Sequence, residues 1–469
     1  MHEKNGGWGE LLRGEHAVRS LVVAGGIAMH SINVFITITI LPTVVRDIGG
    51  LEYFAWNTTL YVIASVLAGG MCARILPRLG ARNLYRAALA LFMAGSMLCA
   101  LAPTMPALLA GRMVQGLGAG TLSALSYTMV RVLFPERLWP PALSIISAAW
   151  GIATLGGPAV GGLFAQYGAW RMAFWSVAAV APVLWLVVER SLPAGIARPP
   201  RPRLPMAYAS LALLCASVLC VSLGSAATQP AMNALGFVAA LAGIALFVRL
   251  ENGGGRRLMP AGACRITTPL GATYAAMLLL IIAINTEIFV PYFLQMLHGM
   301  APVNAGYLSA LMSAGWTTGA VGLAGASREA APHWMVAGPL TLAASLAGMF
   351  VLMPHPGLLP EGAQIGLLGL CLFAQGCGIG MGWPHVCAGV FGFAPEGEKD
   401  LAASSMTLVI MMSNALGSAL AGMLANLAGL GGGGAAGAAS ASAWLFGVYT
   451  LAPLLAVLAI RRVLAARLS

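Results

Sequence analysis

Apolar runs of about 20 residues, the length of a bilayer-crossing helix, recur from one end of this chain to the other. Inside a bilayer no water is available to the backbone, so a segment of that length satisfies its N–H and C=O groups by coiling into a helix. Only 8% of the 469 residues are charged and 59% are hydrophobic, whereas a soluble domain carries about 25% charged residues. The sequence excludes a soluble globular protein and predicts an all-α polytopic membrane protein.

Fourteen spans are expected. Six lie at about 20–43, 54–76, 84–104, 106–130, 141–164 and 169–189. Two follow at about 206–226 and 231–249, then six at about 269–297, 303–325, 333–353, 362–391, 402–428 and 440–460. This plan predicts an N-terminal six-helix bundle over 1–190, basic linkers and two additional helices over 191–268, and a C-terminal six-helix bundle over 269–469. Arginines test the count. Arg74, Arg78, Arg82 and Arg86 flank the connection after the second span, and Arg131 and Arg137 follow the fourth. Arg190, Arg198, Arg201 and Arg203 follow the sixth; Arg249, Arg256, Arg257 and Arg265 the eighth; Arg328 the tenth; Arg461, Arg462 and Arg467 the last. The opposite side holds Arg46 and Arg171. Basic loops stay in the cytoplasm, so both termini are expected there.

The net charge of +11 is thus explained by loop arginines, and no basic tract interleaved with aromatics suggests nucleic acid. The eight cysteines fall almost all in apolar runs without CxxC spacing, which reads as small buried hydrophobes, not a disulfide framework or metal site. The polar segment before the first run does not read as a cleavable signal. Arginine in place of lysine, with abundant Ala and Gly, suggests a GC-rich bacterial genome, and hence the bacterial cytoplasmic (inner) membrane.

Many of the 59 glycines sit inside spans, where small residues let helix backbones approach closely. "GRMVQGLGAG" (111–120) places Gly116 and Gly120 four apart, and "WGIATLGGPAVGG" (150–162) does the same with Gly157 and Gly161. Pro158, between them, removes a backbone donor and predicts a kinked or loosened helix. Tight packing alone would account for both stretches; so would bundles that move.

These stretches resemble the major facilitator superfamily, and the fourteen-span plan resembles its drug:proton antiporter group. "ILPTVVRDIGG" after the first span is similar to a segment of that group, and "GRMVQGLGAG" to its fourth-span signature, which makes Arg112 the intramembrane arginine. "GGPAVGG" matches the antiporter signature through Gly157, Pro158, Gly161 and Gly162. "AWRMAFW" (169–175) is similar to the Trp-Arg start of the sixth span. The loop signature Gly-x-x-x-Asp-Arg-x-Gly survives as Arg78, Gly80 and Arg82, with Ala73 and Pro77 for its glycine and aspartate. Asn33 stands where that group often has an acid. The resemblance implies two bundles with alternating access, proton antiport, a small-molecule substrate, a monomer in a lipid bilayer, and no cofactor.

One acid of the chain's fourteen lies within a span: Glu287, in "LLLIIAINTEIFVPYFLQML". An ionised side chain at mid-bilayer costs about 2.5–3.5 kcal/mol on insertion scales. A carboxylate that is neutral in one conformation and ionised in another is what proton coupling needs, so Glu287 is the expected proton carrier and Arg112 its basic counterpart. A permanently protonated glutamate held by Asn285 or Thr286 is the structural alternative. Gln115, one turn from Arg112, shares its face, and His30, Asn33 and Gln375 sit mid-span. Trp150, Tyr292, Trp316 and Trp383 have the rings to stack on a flat or cationic ligand; packing accounts equally well for each. His385 lies near the inner end of its span. The seventh and eighth spans hold almost no polar residues at mid-membrane and are expected to flank the bundles. No Walker A, HExxH, GxSxG or His/Cys cluster appears, so enzymatic or ATP-driven work has no residues to rest on. The sequence therefore predicts export of small amphipathic compounds, cationic ones included, by proton antiport. An uncoupled or metabolite- or lipid-specific transporter, and a non-transporting sensor, are the alternatives.

Overall fold

A computed structural model describes residues 8–50, 53, 56–192, 207–226, 229–253, 256–323, 325, 329–430 and 434–468. The side chain of Pro158 lies outside the described residues, as do Arg198, Arg201, Arg203 and Arg328. The described elements are all helical: α1 (Trp8–Leu11), α2 (Gly14–Ile48), α3 (Trp56–Leu101), α4 (Met105–Leu133), α5 (Trp139–Gln166), α6 (Trp170–Ser191), α7 (Tyr208–Ala226) and α8 (Pro230–Asn252) lead. They are followed by α9 (Pro269–Ile284), α10 (Val290–His298), α11 (Pro302–Leu323), α12 (Ala331–Leu352), α13 (Glu361–Phe393), α14 (Lys399–Leu427), α15 (Gly434–Tyr449) and α16 (Leu451–Leu468).

Helix overlies all fourteen expected segments, and nine described helices are long and apolar enough to cross a membrane. Three departures are local. The second and third spans share α3, whose turn is made at Gly80, with φ 76° and ψ 161°, a conformation that strains any residue with a Cβ. The ninth span, expected as one helix, is broken by a 3₁₀ turn over Asn285–Ile288. The last is divided between α15 and α16. Of the nine, α8 is the least buried.

The chain forms two compact units, one of Met1–Leu219, Gly243–Ala261 and Ala394–Met411, the other of Cys220–Ala242, Gly262–Phe393 and Met412–Ser469. In the first, α3 packs on α4 and α6, and α2 on α4, α5 and α6. The fourth-span glycines set the closest approach: a Cβ on Gly116 would lie 2.5 Å from Tyr61 O, and one on Gly120 2.2 Å from Ser65 O. The antiporter glycines do the same on α2, where a Cβ on Gly157 would meet Phe35 Cβ at 2.5 Å and one on Gly161 would meet Ile36 O at 3.0 Å.

Charged side chains fasten the helix ends of this unit. Arg82 and Arg86 both donate to Glu189 at the end of α6, and exposed Arg78 makes no ion pair among the described residues. Because one carboxylate serves two guanidinium groups, Glu189→Gln is expected to lower stability by about 1 kcal/mol, read as a shift in thermal unfolding. Arg131, ending α4, pairs with Asp400 in the first turn of α14. Arg257 pairs with Glu398 at 2.9 Å.

At the other end of α2, Asp47 accepts from Trp170 Nε1 at 3.0 Å and from Arg171 Nη1 at 2.6 Å. This contact joins the two sequence segments "VVRDIGG" and "AWRMAFW". The bonds from Arg171 and then Trp170 hold the Asp47 carboxyl below the ordinary carboxylate range. A carboxyl depressed by folding stabilises the folded state above its unfolded pKa, about 3.9, and loses that contribution as pH falls through the folded value. Asp47→Asn is therefore expected to flatten the acid limb of the unfolding temperature below about pH 4, with a small effect at neutral pH.

In the second unit α13 packs on α9, α11 and α12, α16 on α9 and α12, and α15 on α10 and α12.

Candidate functional site

Glu287 owes its setting to its neighbours in sequence. Pro291 has no N–H, so the carbonyl of Glu287, four residues earlier, loses the helical partner it would otherwise have. Asn285 Nδ2 donates to Ile281 O at 2.7 Å, and Phe289 N–H turns to Thr286 O at 3.1 Å. Side chains that bond to their own backbone compete with regular helix, and 3₁₀ geometry results. The turn is pinned from outside. Gln375 Nε2 donates to Thr286 Oγ1 at 2.9 Å, Asn285 Nδ2 reaches Asn414 Oδ1 at 3.3 Å, and Asn285 lodges against Gly417.

The side chain of Glu287 is half-buried and makes no hydrogen bond or ion pair among the described residues. Asn285 and Thr286, the partners of the structural alternative, are engaged elsewhere. Fully buried Gln375 keeps its Oε1 without a partner. Half-buried Trp316 lies edge-on to Trp383, ring centres 6.0 Å apart, and its Nε1 is unpartnered. Tyr292 is exposed and packs edge-on to Phe293, outside this hydrogen-bonded group. His385 Nε2 contacts Leu323 O at 3.1 Å.

The first unit holds a second polar cluster. Arg112, 2% exposed, donates through Nη1 to Gln115 Oε1 and through Nε to Asn57 O at 3.4 Å, and its guanidinium lies 4.1 Å from the Tyr61 ring centre. Gln115 Nε2 bridges to Asn33 Oδ1 at 3.0 Å and Ser96 Oγ at 2.7 Å. Tyr61 OH and His30 Nδ1 are 3.0 Å apart, and His30 meets half-buried Trp150 edge-on at 5.7 Å. Arg112 makes no ion pair among the described residues. No group of His, Cys, Asp and Glu among the described residues has the geometry of a metal site.

Sequence reasoning missed Asn57, Tyr61 and Ser96 here and Asn414 in the other unit. A signal was present. "QGLGAG" (115–120) is echoed by "QGCGIG" (375–380). Each copy begins with a fully buried glutamine whose Nε2 bonds a polar side chain of another helix, Asn33 or Thr286. Each also continues with glycines set against backbone carbonyls, Tyr61 and Ser65 or Met312 and Trp316. The copies differ at the residue three before the glutamine: Arg112 in one, Leu372 in the other. The first cluster therefore carries a guanidinium, while the second carries a carboxylate and an unpartnered amide oxygen.

Helices crossing a bilayer, paired glycine-rich helices and polar groups buried mid-span define a multi-pass membrane transporter. The Major Facilitator Superfamily model matches residues 23–360, and the chain belongs to that family. It is 36% identical over 432 residues to a probable multidrug-efflux transporter of Mycobacterium tuberculosis, covering 90% of each chain. It is 28% identical over 428 residues to the tetracenomycin C resistance and export protein of Streptomyces glaucescens, covering 88% of this chain and 76% of that one. Among solved structures, a human organic anion transporter superposes with a TM-score of 0.69 at 15% identity, over 96% of this chain and 100% of that one. A proton:xylose symporter gives 0.64 at 15% identity over 94% of each. These two likenesses show the fold. The protein is a transporter and not an enzyme.

Proposed function

We propose that this chain exports small amphipathic compounds, cationic ones included, from the bacterial cytoplasm by proton antiport. Its two bundles, over 1–190 and 269–469, expose the route alternately to each side, with both termini cytoplasmic and the monomer as the working unit. The observation that carries the reading is Glu287: the one intramembrane acid, at a break in its helix, with no partner among the described residues. Discontinuous helices mark binding sites in many transporters, because they free backbone and side-chain groups at mid-membrane. Glu287 takes a proton on one side and exchanges it for substrate on the other, and Arg112 supplies the fixed positive charge of the N-terminal bundle. The export named for the relatives from M. tuberculosis and S. glaucescens supports the direction of transport.

The energetics suffice. One proton moved through about 100 mV releases about 2.3 kcal/mol, and a pH difference of about one unit adds about 1.4 kcal/mol. For a neutral compound they together sustain a gradient on the order of 500-fold; exchange for a monovalent cation moves no net charge and draws on the pH term alone, about tenfold for each proton.

A host stripped of its own efflux pumps, expressing wild type, Glu287→Gln or empty vector at matched membrane levels, tests the reading against a panel of cationic and neutral toxic compounds. Resistance in the wild type alone is expected. Equal sensitivity of all three strains overturns broad drug export and points to a specific metabolite or lipid.

A further inference from the structure

The N-terminal cluster holds a charge that nothing within it balances. Arg112 is buried, and its Nη2 has no acceptor among the described residues. The ionisable groups beside it are Tyr61, Cys99 and His30, none of them a carboxylate. A guanidinium withdrawn from water is normally paired, because low dielectric magnifies the cost of an uncompensated charge.

Two buried amides of the same cluster have unpartnered atoms. Asn57 is fully buried, and neither its Oδ1 nor its Nδ2 has a partner. Asn33 is fully buried as well; Gln115 holds its Oδ1 while its Nδ2 is unpartnered. Buried amide groups in folded proteins are nearly always hydrogen-bonded, and each exception calls for an absent partner. All three donors belong to one network, since Asn33 is joined to Arg112 through Gln115, and Asn57 through its own carbonyl. Tyr61, whose hydroxyl bonds His30 and also interacts with Asn33, is neutral and does not supply the missing negative charge.

The missing partner accepts hydrogen bonds and carries negative charge. One guanidinium is neutralised by one negative charge, whereas a dianion would leave an excess charge in a buried site. We propose that Arg112, Asn33 and Asn57 form a binding site for a monovalent anionic group, a carboxylate on the transported compound or a halide ion. The planar guanidinium fork and two amide N–H groups suit the two oxygens of a carboxylate. The proposal stands apart from proton carriage by Glu287 and concerns what the N-terminal bundle binds.

The test uses the full-length protein in lipid nanodiscs. Thermal unfolding and tryptophan fluorescence, with Trp150 beside His30 as a reporter, are followed while sodium chloride, sodium benzoate or sodium sulfate is titrated at matched ionic strength. Chloride, benzoate or both are expected to give a saturable rise in unfolding temperature that sulfate does not give. Asn57→Leu and Asn33→Leu are each expected to raise the half-saturating concentration about tenfold or more, and Arg112→Gln to abolish the response. If Arg112→Gln does not fold, the two asparagine variants decide. A response to benzoate but not chloride assigns the site to a substrate carboxylate, and a response to chloride assigns it to a halide. No saturable response to either anion, an equal response to sulfate, or responses unchanged in both asparagine variants would overturn the proposal.

Discussion

Glu287→Gln is expected to reduce the accumulation ratio of a neutral substrate in energised inverted membrane vesicles from several hundred-fold to one, while leaving expression and unfolding temperature close to wild type. The amide has nearly the shape of the protonated acid but cannot release a proton. A transporter carrying it binds and exchanges substrate at equal chemical potential without extracting work from a proton gradient. The fold should tolerate the change, because the side chain is half-buried and makes no hydrogen bond or ion pair among the described residues. Substrate counterflow, which needs no proton movement, should persist. Undiminished accumulation in the variant would remove Glu287 from the coupling mechanism.

Gly120→Leu is expected to fail at an earlier stage, in folding. A Cβ at this position would lie 2.2 Å from the carbonyl oxygen of Ser65 and 2.5 Å from its Cα. Both atoms are backbone, so no rotamer change relieves the overlap, and α4 must withdraw from α3. That separation would also break the bond from Ser65 Oγ to Gly116 O, now 3.1 Å long, and loosen the Arg112–Gln115 cluster one to two turns away. Overpacking of this kind costs about 3 kcal/mol or more. Yield of monodisperse protein and unfolding temperature in detergent should both fall sharply. Gly156→Ala, on a glycine whose added Cβ meets nothing within 4 Å, serves as the neutral control.

The fold was legible because the bilayer leaves a chain so few options. Long apolar runs locate helices, and glycines four apart within them locate close helix contacts, as Gly116 and Gly120 against α3 and Gly157 and Gly161 against α2 demonstrate. Glu287 and Arg112 were legible for an electrostatic reason: charge at mid-span is costly enough to be conspicuous. What hydropathy cannot convey is partnership. Glu189 with Arg82 and Arg86, or Asp400 with Arg131, are separated by 103 to 269 residues, and no local pattern pairs them. The break at Asn285–Ile288 lay hidden because its residues keep the segment apolar on average, although Pro291, four residues after Glu287, was the sign. Asn57 and Tyr61 were missed because single polar residues near a span's start are ordinary; their significance comes from the guanidinium that the glycines of α4 bring against them.

The central claim is that protons moving inward through this chain drive substrate outward, and proton movement can be measured directly. Purified protein is reconstituted into liposomes with a trapped pH indicator and an imposed proton gradient, and a compound identified by the resistance panel is added. Substrate-dependent collapse of the gradient is expected in wild type, proportional to compound transported, and absent in Glu287→Gln. Transport of the compound with no accompanying proton movement, at the same rate with the gradient present or dissipated, would contradict the account and make the protein a facilitator.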